Sequence, residues 1–250
     1  MLKLTTAQCS HAGMRENNED ALGIRIREHD ACFVLSDGVG GETGGGHAAK
    51  LAIHAALTAF ESHMATSVHE LAGHTLAAAH AAIIADQARH PERSRMAATI
   101  IGLFFDRALG QAQWIHAGDS RLYHFRRGVL INRTEDHSLV AQLAAAGLPH
   151  DRVNPNLLSQ ALGHANPTPA RPQHIQQLED GDAYLLCTDG FWHGLLDHEL
   201  ECLLQLAGSA QDWITLLSYR VDQQGARDNY SAIAVWVGDP QSITLTRIAA

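Results

Sequence analysis

The sequence predicts an α+β fold, a four-layer α-β-β-α sandwich of two packed, mostly antiparallel sheets flanked by helices. Three observations point there. Six short apolar runs, rich in β-branched or aromatic residues, read as strands, several of them buried on both faces. The runs cluster in pairs and do not alternate one for one with helices, which argues against a parallel βαβ fold. The helical patterns fall into an early pair and a late group of two or three.

In chain order, the first strand is 31–36 (ACFVLS). A helix follows over 47–62, where His47, Lys50, His54, Thr58 and Glu61 step round one polar stripe with Leu51, Ala52, Ala55, Ala59 and Phe60 behind it. A second helix covers 68–89 and is ended by Pro91. Strands at 97–105 (AATIIGLFF), 112–117 (AQWIHA) and 121–125 (RLYHF) come next. The break at GDS and the Arg126-Arg127-Gly128 corner predict consecutive hairpin links between them. A helix over 136–146 takes Asp136 as its N-cap and Gly147 as its stop. Residues 147–173 hold five of the seven prolines and little periodicity beyond LLSQAL, so they read as a flap or long surface loop facing a substrate. A strand at 183–188 (AYLLCT), a helix at 209–224 and a strand at 232–237 (AIAVWV) complete the series. No internal repeat interrupts it, and we expect a single domain, 1–250, with the flap as an insertion at about 147–173.

The chain is 46% hydrophobic and 18% charged over 250 residues, long enough to bury roughly 70% of its extended surface without disulfide staples. A net charge of -9 argues against general binding to nucleic acid or to an anionic membrane. The 17 histidines make that charge steeply pH-dependent. Solubility should therefore be poorest in mild acid, near the sequence pI of about 6.0; turbidity lowest there and highest above neutral pH would contradict this. Cys9, Cys32, Cys187 and Cys202 form no C-x-x-C pair, and two of them sit inside apolar runs as core residues. The start, MLKLTTAQCSHAG, lacks a signal peptide's apolar stretch, and no run approaches a membrane span, so a cytoplasmic location is the expectation.

The functional signal is a series of aspartates at strand ends. Asp37 follows ACFVLS, Asp119 follows WIHAG, Asp189 follows AYLLCT, Asp228 opens DNYSAIAVWV, and Glu19-Asp20 closes RENNED. Taken singly, an Asp-Gly after a strand is a turn signal. Together they converge at one edge of a two-sheet sandwich, where two carboxylates about 4 Å apart repel by about 4 kcal/mol at an effective dielectric of about 20. Such a group takes up protons or holds cations, and all-oxygen ligands suit Mg²⁺ or Mn²⁺. The glycine-rich GGETGGGHAAK lacks the G-K-[ST] ending of a phosphate-binding loop, so its glycines serve a tight turn. His116, on an apolar strand, reads as a hydrogen-bonded core histidine, and most other histidines as solvated surface.

In order and spacing, Arg15…Asn18-Glu19-Asp20, Asp37-Gly38-Val39-Gly40-Gly41, Gly118-Asp119-Ser120-Arg121, Thr188-Asp189-Gly190 and Asp228-Asn229 resemble the metal-dependent serine/threonine phosphatases of the protein phosphatase 2C family, over about residues 10 to 238. The likeness is greatest to compact, stand-alone bacterial members. It implies a protein phosphatase that hydrolyses phosphoserine and phosphothreonine by attack of a water bridging two metal ions, Mn²⁺ or Mg²⁺, opposing a bacterial kinase. By the same resemblance Asp37 bridges the two metals, the Gly38 carbonyl and Glu19-Asp20 serve the second directly or through water, and Asp189 and Asp228 hold the first. Asp119, with Asp189, matches a third, weaker position, and Arg15 grips the substrate phosphate. The expected partners are phosphorylated proteins, and the expected state is a monomer. Two departures stand out: a glycine expected three residues before the arginine is here Gly13, two before Arg15, with Ala12 in the expected slot; and the DGxGG turn carries Val39, where some members have a histidine. The rival classes are a catalytically silent binder of phosphoproteins and a small-molecule phosphohydrolase on the same scaffold. Every expected acid is present, which favours activity.

Overall fold

A computed structural model describes residues 3–39, 44–62, 67–154, 156–164 and 175–239. Two strands, β1 (Leu4–His11) and β2 (Asp20–Ile26), precede β3 (Asp30–Asp37). Helices α1 (Gly45–Ser62) and α2 (Val68–Arg89) come next, then β4 (Ile100–Asp106), β5 (Gln111–Ala117), β6 (Arg121–Arg126), β7 (Val129–Arg133) and α3 (Leu139–Ala145). The last part holds β8 (Gln176–Gln177), β9 (Asp182–Cys187), α4 (Asp189–Trp192), α5 (Asp197–Leu206), α6 (Ala210–Gln223) and β10 (Tyr230–Val237). The strands form two five-stranded sheets, ordered β1-β10-β9-β6-β7 and β2-β3-β4-β5-β8. Each described pairing is antiparallel.

The central strands are apolar throughout because both of their faces are covered. In β4, Ile101, Leu103 and Phe105 point between the sheets, while Ile100 and Phe104 pack on α1 and α2. In β10, Ile233, Val235 and Val237 face the other sheet, while Ala232, Ala234 and Trp236 pack on α5 and α6. Each fully buried side chain of this size contributes about 1.5–3 kcal/mol of burial. Three cores thus separate four layers, α-β-β-α, as the sequence pattern predicts.

Several elements differ from the sequence reading for identifiable reasons. The strand expected from 97 begins at Ile100, because Ala98 instead makes isolated bridges to Gly38 and Leu162. The helix after β7 is shorter than predicted, and its cap is Ser138, whose hydroxyl accepts from the Ala141 amide at 3.1 Å. Asp136 is not the cap: it receives Nε and one terminal nitrogen of Arg121 at 2.7 and 2.8 Å, and Arg121 lies 3.3 Å above the Trp192 ring. The β6–β7 link is a hairpin at Arg127-Gly128, but β5 and β6 belong to different sheets, so the GDS break is a crossover between leaves. Of the predicted flap, Pro155 and 165–173 lie outside the described residues. The LLSQAL part is not a free surface loop: Leu162 is buried in the core under α1 and α2 and exchanges both backbone hydrogen bonds with Ala98, at 2.8 and 3.2 Å. Cys32 and Cys187 are buried as expected, and all four cysteines are free thiols. His116 is a core histidine, its Nε2 2.9 Å from the Glu135 carbonyl and its ring stacked on His137.

Candidate active site

Antiparallel pairing brings the acids to one edge. Asp20 at the start of β2 lies directly opposite Asp37 at the end of β3. In the other sheet, Cys187 at the end of β9 pairs with Ala232 near the start of β10, so Asp189 and Asp228 emerge at the same edge. Arg121 at the start of β6 also pairs with Cys187, which brings the crossover residue Asp119 alongside. A cavity of about 430 Å³ is lined there by Arg15, Glu19, Asp37, Gly38, Asp119, Asp189 and Asp228. Asp20, only 6% exposed, sits behind them, its Oδ2 accepting from the Thr188 hydroxyl at 3.1 Å.

These carboxylates are poorly compensated by protein. Burial, then the charges of Asp20, Asp189 and Asp119, pushes the Asp37 carboxyl well above the usual carboxylate range. Burial takes Asp119 to about 7, the neighbouring Asp189 adding to it. Burial likewise takes Asp20 to about 6, against hydrogen bonds from Ser231 and Thr188. Burial and Asp228 raise Asp189. Asp20 Oδ1 is buried with no hydrogen-bond partner. Among the described residues no three acidic, histidine or cysteine side chains close round one point as a ready-made metal cluster. An oxygen donor set this short of positive charge fits a hard divalent cation.

Backbone close approach explains the glycines. A Cβ on Gly38 would lie 2.3 Å from the carbonyl carbon of Gly45, so only glycine lets the end of β3 pass under the start of α1. Gly40 and Gly41 of the same motif lie outside the described residues. Gly13 has φ +58°, and a Cβ there would lie 2.2 Å from the Asp228 carbonyl oxygen. The tight turn that leads into Arg15, with Met14 donating to the Ala226 carbonyl and Arg15 to that of Ala12, needs its glycine at 13. The shifted glycine therefore still delivers Arg15 to the cavity rim, where it donates to Asp228 Oδ2 at 2.8 Å.

Two residues without a sequence-assigned role, Thr99 and Asn229, hold the site together, and two more line it. The Thr99 hydroxyl accepts from the Asp37 amide at 2.9 Å and lies 2.7 Å from the Ser120 hydroxyl, linking β3 to the crossover that carries Asp119. The Asn229 side chain accepts from the Glu19 amide and donates to the carbonyls of Ala12 and Asn17, tying the Arg15 loop to β10. Asn156 and Leu158 reach the cavity from the described part of the predicted flap. Asn229 had a signal, since it adjoins Asp228 in the DN pair; Thr99, a neutral residue in an apolar run, had none.

The family model for protein phosphatase 2C matches residues 7–231. The chain belongs to this family. Serine/threonine protein phosphatase PstP of Mycobacterium tuberculosis is 29% identical over 248 residues, covering 95% of this chain and 46% of that protein. This phosphatase 2C chain thus spans less than half the length of PstP. Serine/threonine phosphatase Stp of Listeria monocytogenes is 24% identical over 232 residues, covering 89% of this chain and 91% of Stp. Among solved structures, the catalytic domain of PstP in complex with two manganese ions superposes with a TM-score of 0.80 at 28% identity, covering 96% of this chain and 100% of that one.

Proposed function

We propose that this phosphatase 2C chain is a metal-dependent protein serine/threonine phosphatase. The observation that carries the reading is the gathering of carboxylates from both sheets round one cavity with a guanidinium on its rim. The naming of PstP and Stp as serine/threonine phosphatases, and the manganese in the PstP structure, support it.

In this reading Asp37 would be a ligand shared by two cations, Mn²⁺ or Mg²⁺. Asp189 and Asp228 would hold one of them, and Glu19, Asp20 and the Gly38 carbonyl would serve the other, directly or through water. Asp119 and Asp189 offer a third, weaker position. The cations supply a lowered pKa for water and charge neutralisation at phosphorus. The chain's own residues do the rest. Arg15 is more than half exposed and its ion pair with the less exposed but still accessible Asp228 is worth about 1 kcal/mol or less, so an incoming phosphate can recruit the guanidinium. Thr99 and Asn229 hold the strand ends and the Arg15 loop in register. Val39 gives the turn after Asp37 no proton donor.

The substrates we propose are phosphoserine and phosphothreonine proteins modified by a bacterial kinase, met in the cytoplasm by a monomeric single-domain enzyme with a flap at about 147–173. Among the described residues no helix is long and apolar enough to cross a membrane. The test is hydrolysis of p-nitrophenyl phosphate and of a phosphothreonine peptide, with Mn²⁺ and with chelator. Turnover that survives chelation unchanged overturns the reading. Arg15→Ala should raise KM about tenfold with a smaller effect on kcat, the lower end for a charged hydrogen bond made already in the ground state. Parent-like KM would remove Arg15 from phosphate binding.

A further inference from the structure

We propose, building on the phosphatase reading and its placing of Asp119 and Asp189 at one cation position, that Trp192 is a positioning residue: its indole N–H holds the Asp119 crossover against the helix that carries Asp189, so that the two carboxylates reach the same ion. The two acids sit on different carriers. Asp119 lies on the crossover from β5 to β6 and belongs to no strand, whereas Asp189 opens α4. Trp192 follows Asp189 by three residues in that one-turn helix, and positions three apart share a helix face. Its Nε1 donates to the Asp119 carbonyl at 2.9 Å. One side chain therefore joins the backbone of the first acid to the helix of the second.

This tie is itself braced. The Arg121 guanidinium lies 3.3 Å from the centre of the Trp192 ring, donates to both Asp136 oxygens at 2.7 and 2.8 Å, and donates to the Tyr123 hydroxyl at 3.2 Å. The Arg121 and Asp136 side chains are mostly buried, so water competes little with these contacts. The indole is thus fixed at its edge by the crossover and on its face by the first residue of β6. On its other flank the crossover is held by the Ser120 hydroxyl on Thr99 and by the Gly118 carbonyl, which accepts from the His137 amide at 2.9 Å. Those two contacts face away from α4, whereas the Trp192 bond faces it. A restraint is needed there because the charge of Asp189 opposes ionisation of Asp119, and like charges drive the crossover and α4 apart until a cation arrives. A bond that already holds the two carriers together leaves the ion less rearrangement to impose.

The test is Mn²⁺ uptake followed by titration calorimetry, with amide hydrogen exchange in chelator as a metal-free readout. Asp119→Asn first marks the step of uptake that uses Asp119. Trp192→Phe keeps an aromatic face for Arg121 and loses the N–H. It should weaken that step about tenfold, the lower end for a group that orients a metal ligand, and leave the remaining uptake within about twofold of the parent. Trp192→His places Nε2 where the indole nitrogen was, so it should recover that step to within about threefold of the parent, and it serves if Trp192→Phe does not fold. In chelator, Trp192→Phe should speed exchange about tenfold in 117–121 and 189–193 and leave the core strands unchanged. Uptake by Trp192→Phe that matches the parent at every step, or falls equally at all of them, overturns the proposal. So does a Trp192→His that binds no better than Trp192→Phe, or an Asp119→Asn that alters no step. If the parent takes up no Mn²⁺, the phosphatase reading fails separately. Exchange then decides the tie: acceleration confined to the two segments supports it, and parent-like exchange overturns it.

Discussion

Asp37→Asn should lower Mn²⁺-dependent kcat/KM by about 10³-fold or more on the proposed reading, in which a ligand shared by two cations supplies several kcal/mol of transition-state stabilisation. The substitution is nearly isosteric and leaves the backbone bond from the Asp37 amide to Thr99 in place. It also removes one charge from a buried group whose neighbours Asp20, Asp189 and Asp119 already oppose its ionisation. The cation-free variant should therefore melt at or above the parent temperature. Loss of activity with intact melting separates a chemical role from a structural one. Parent-like turnover would end the proposed arrangement of the site.

The largest effect on stability belongs to the start of β9, at the end of that strand away from Asp189. Asp182 opens β9 and is fully buried, with His124 Nε2 at 3.1 Å, Arg126 Nε at 2.7 Å and the Glu179 amide at 2.9 Å from its oxygens. Asp182→Ala takes the carboxylate from the buried His124 ring and from Arg126, which keeps its ion pair with Glu179, so the cost is at the lower end for a broken buried pair, about 3 kcal/mol. For a chain of this size that lowers Tm by about 10 °C. Burial alone would push the Asp182 carboxyl up, but the contacts to His124 and Arg126 outweigh it and hold it below its ordinary value. A carboxylate depressed on folding stabilises fully above its unfolded pKa, and this contribution fades as pH falls through the folded value. The gap between parent and variant in urea melts should thus be widest near neutrality and shrink below about pH 4. A constant gap from pH 7 to pH 3 would contradict the assignment. At temperatures where both are folded, phosphatase activity should be unaffected.

The parts of the fold that were legible are those where burial is two-sided. ACFVLS and AIAVWV read as strands because each is covered on both faces. LTTAQCSH and DALGIRI form β1 and β2 at the sheet edges, where half-exposed positions break the apolar run, and they went unread. DHELECLLQL, now α5, buries only Leu200 and Leu204, too narrow a stripe to stand out. The acids of the site were legible because a carboxylate beside an apolar strand is costly and demands a reason. Thr99 and Asn156 carry no such cost. Their contribution comes from hydrogen-bond geometry and from where a distant segment lands, which only the folded chain reveals.

The crossover at Gly118-Asp119-Ser120 divides the acids between the leaves: Asp20 and Asp37 sit on one sheet, and Asp189 and Asp228 beside strands of the other. On the proposed reading, a bound ion is a rivet through the sandwich as well as a reagent. By mass action, cation at a hundred times its dissociation constant adds about 2.7 kcal/mol of resistance to unfolding. The melting temperature should then climb with divalent concentration, so the availability of the ion governs the lifetime of the folded molecule together with its turnover.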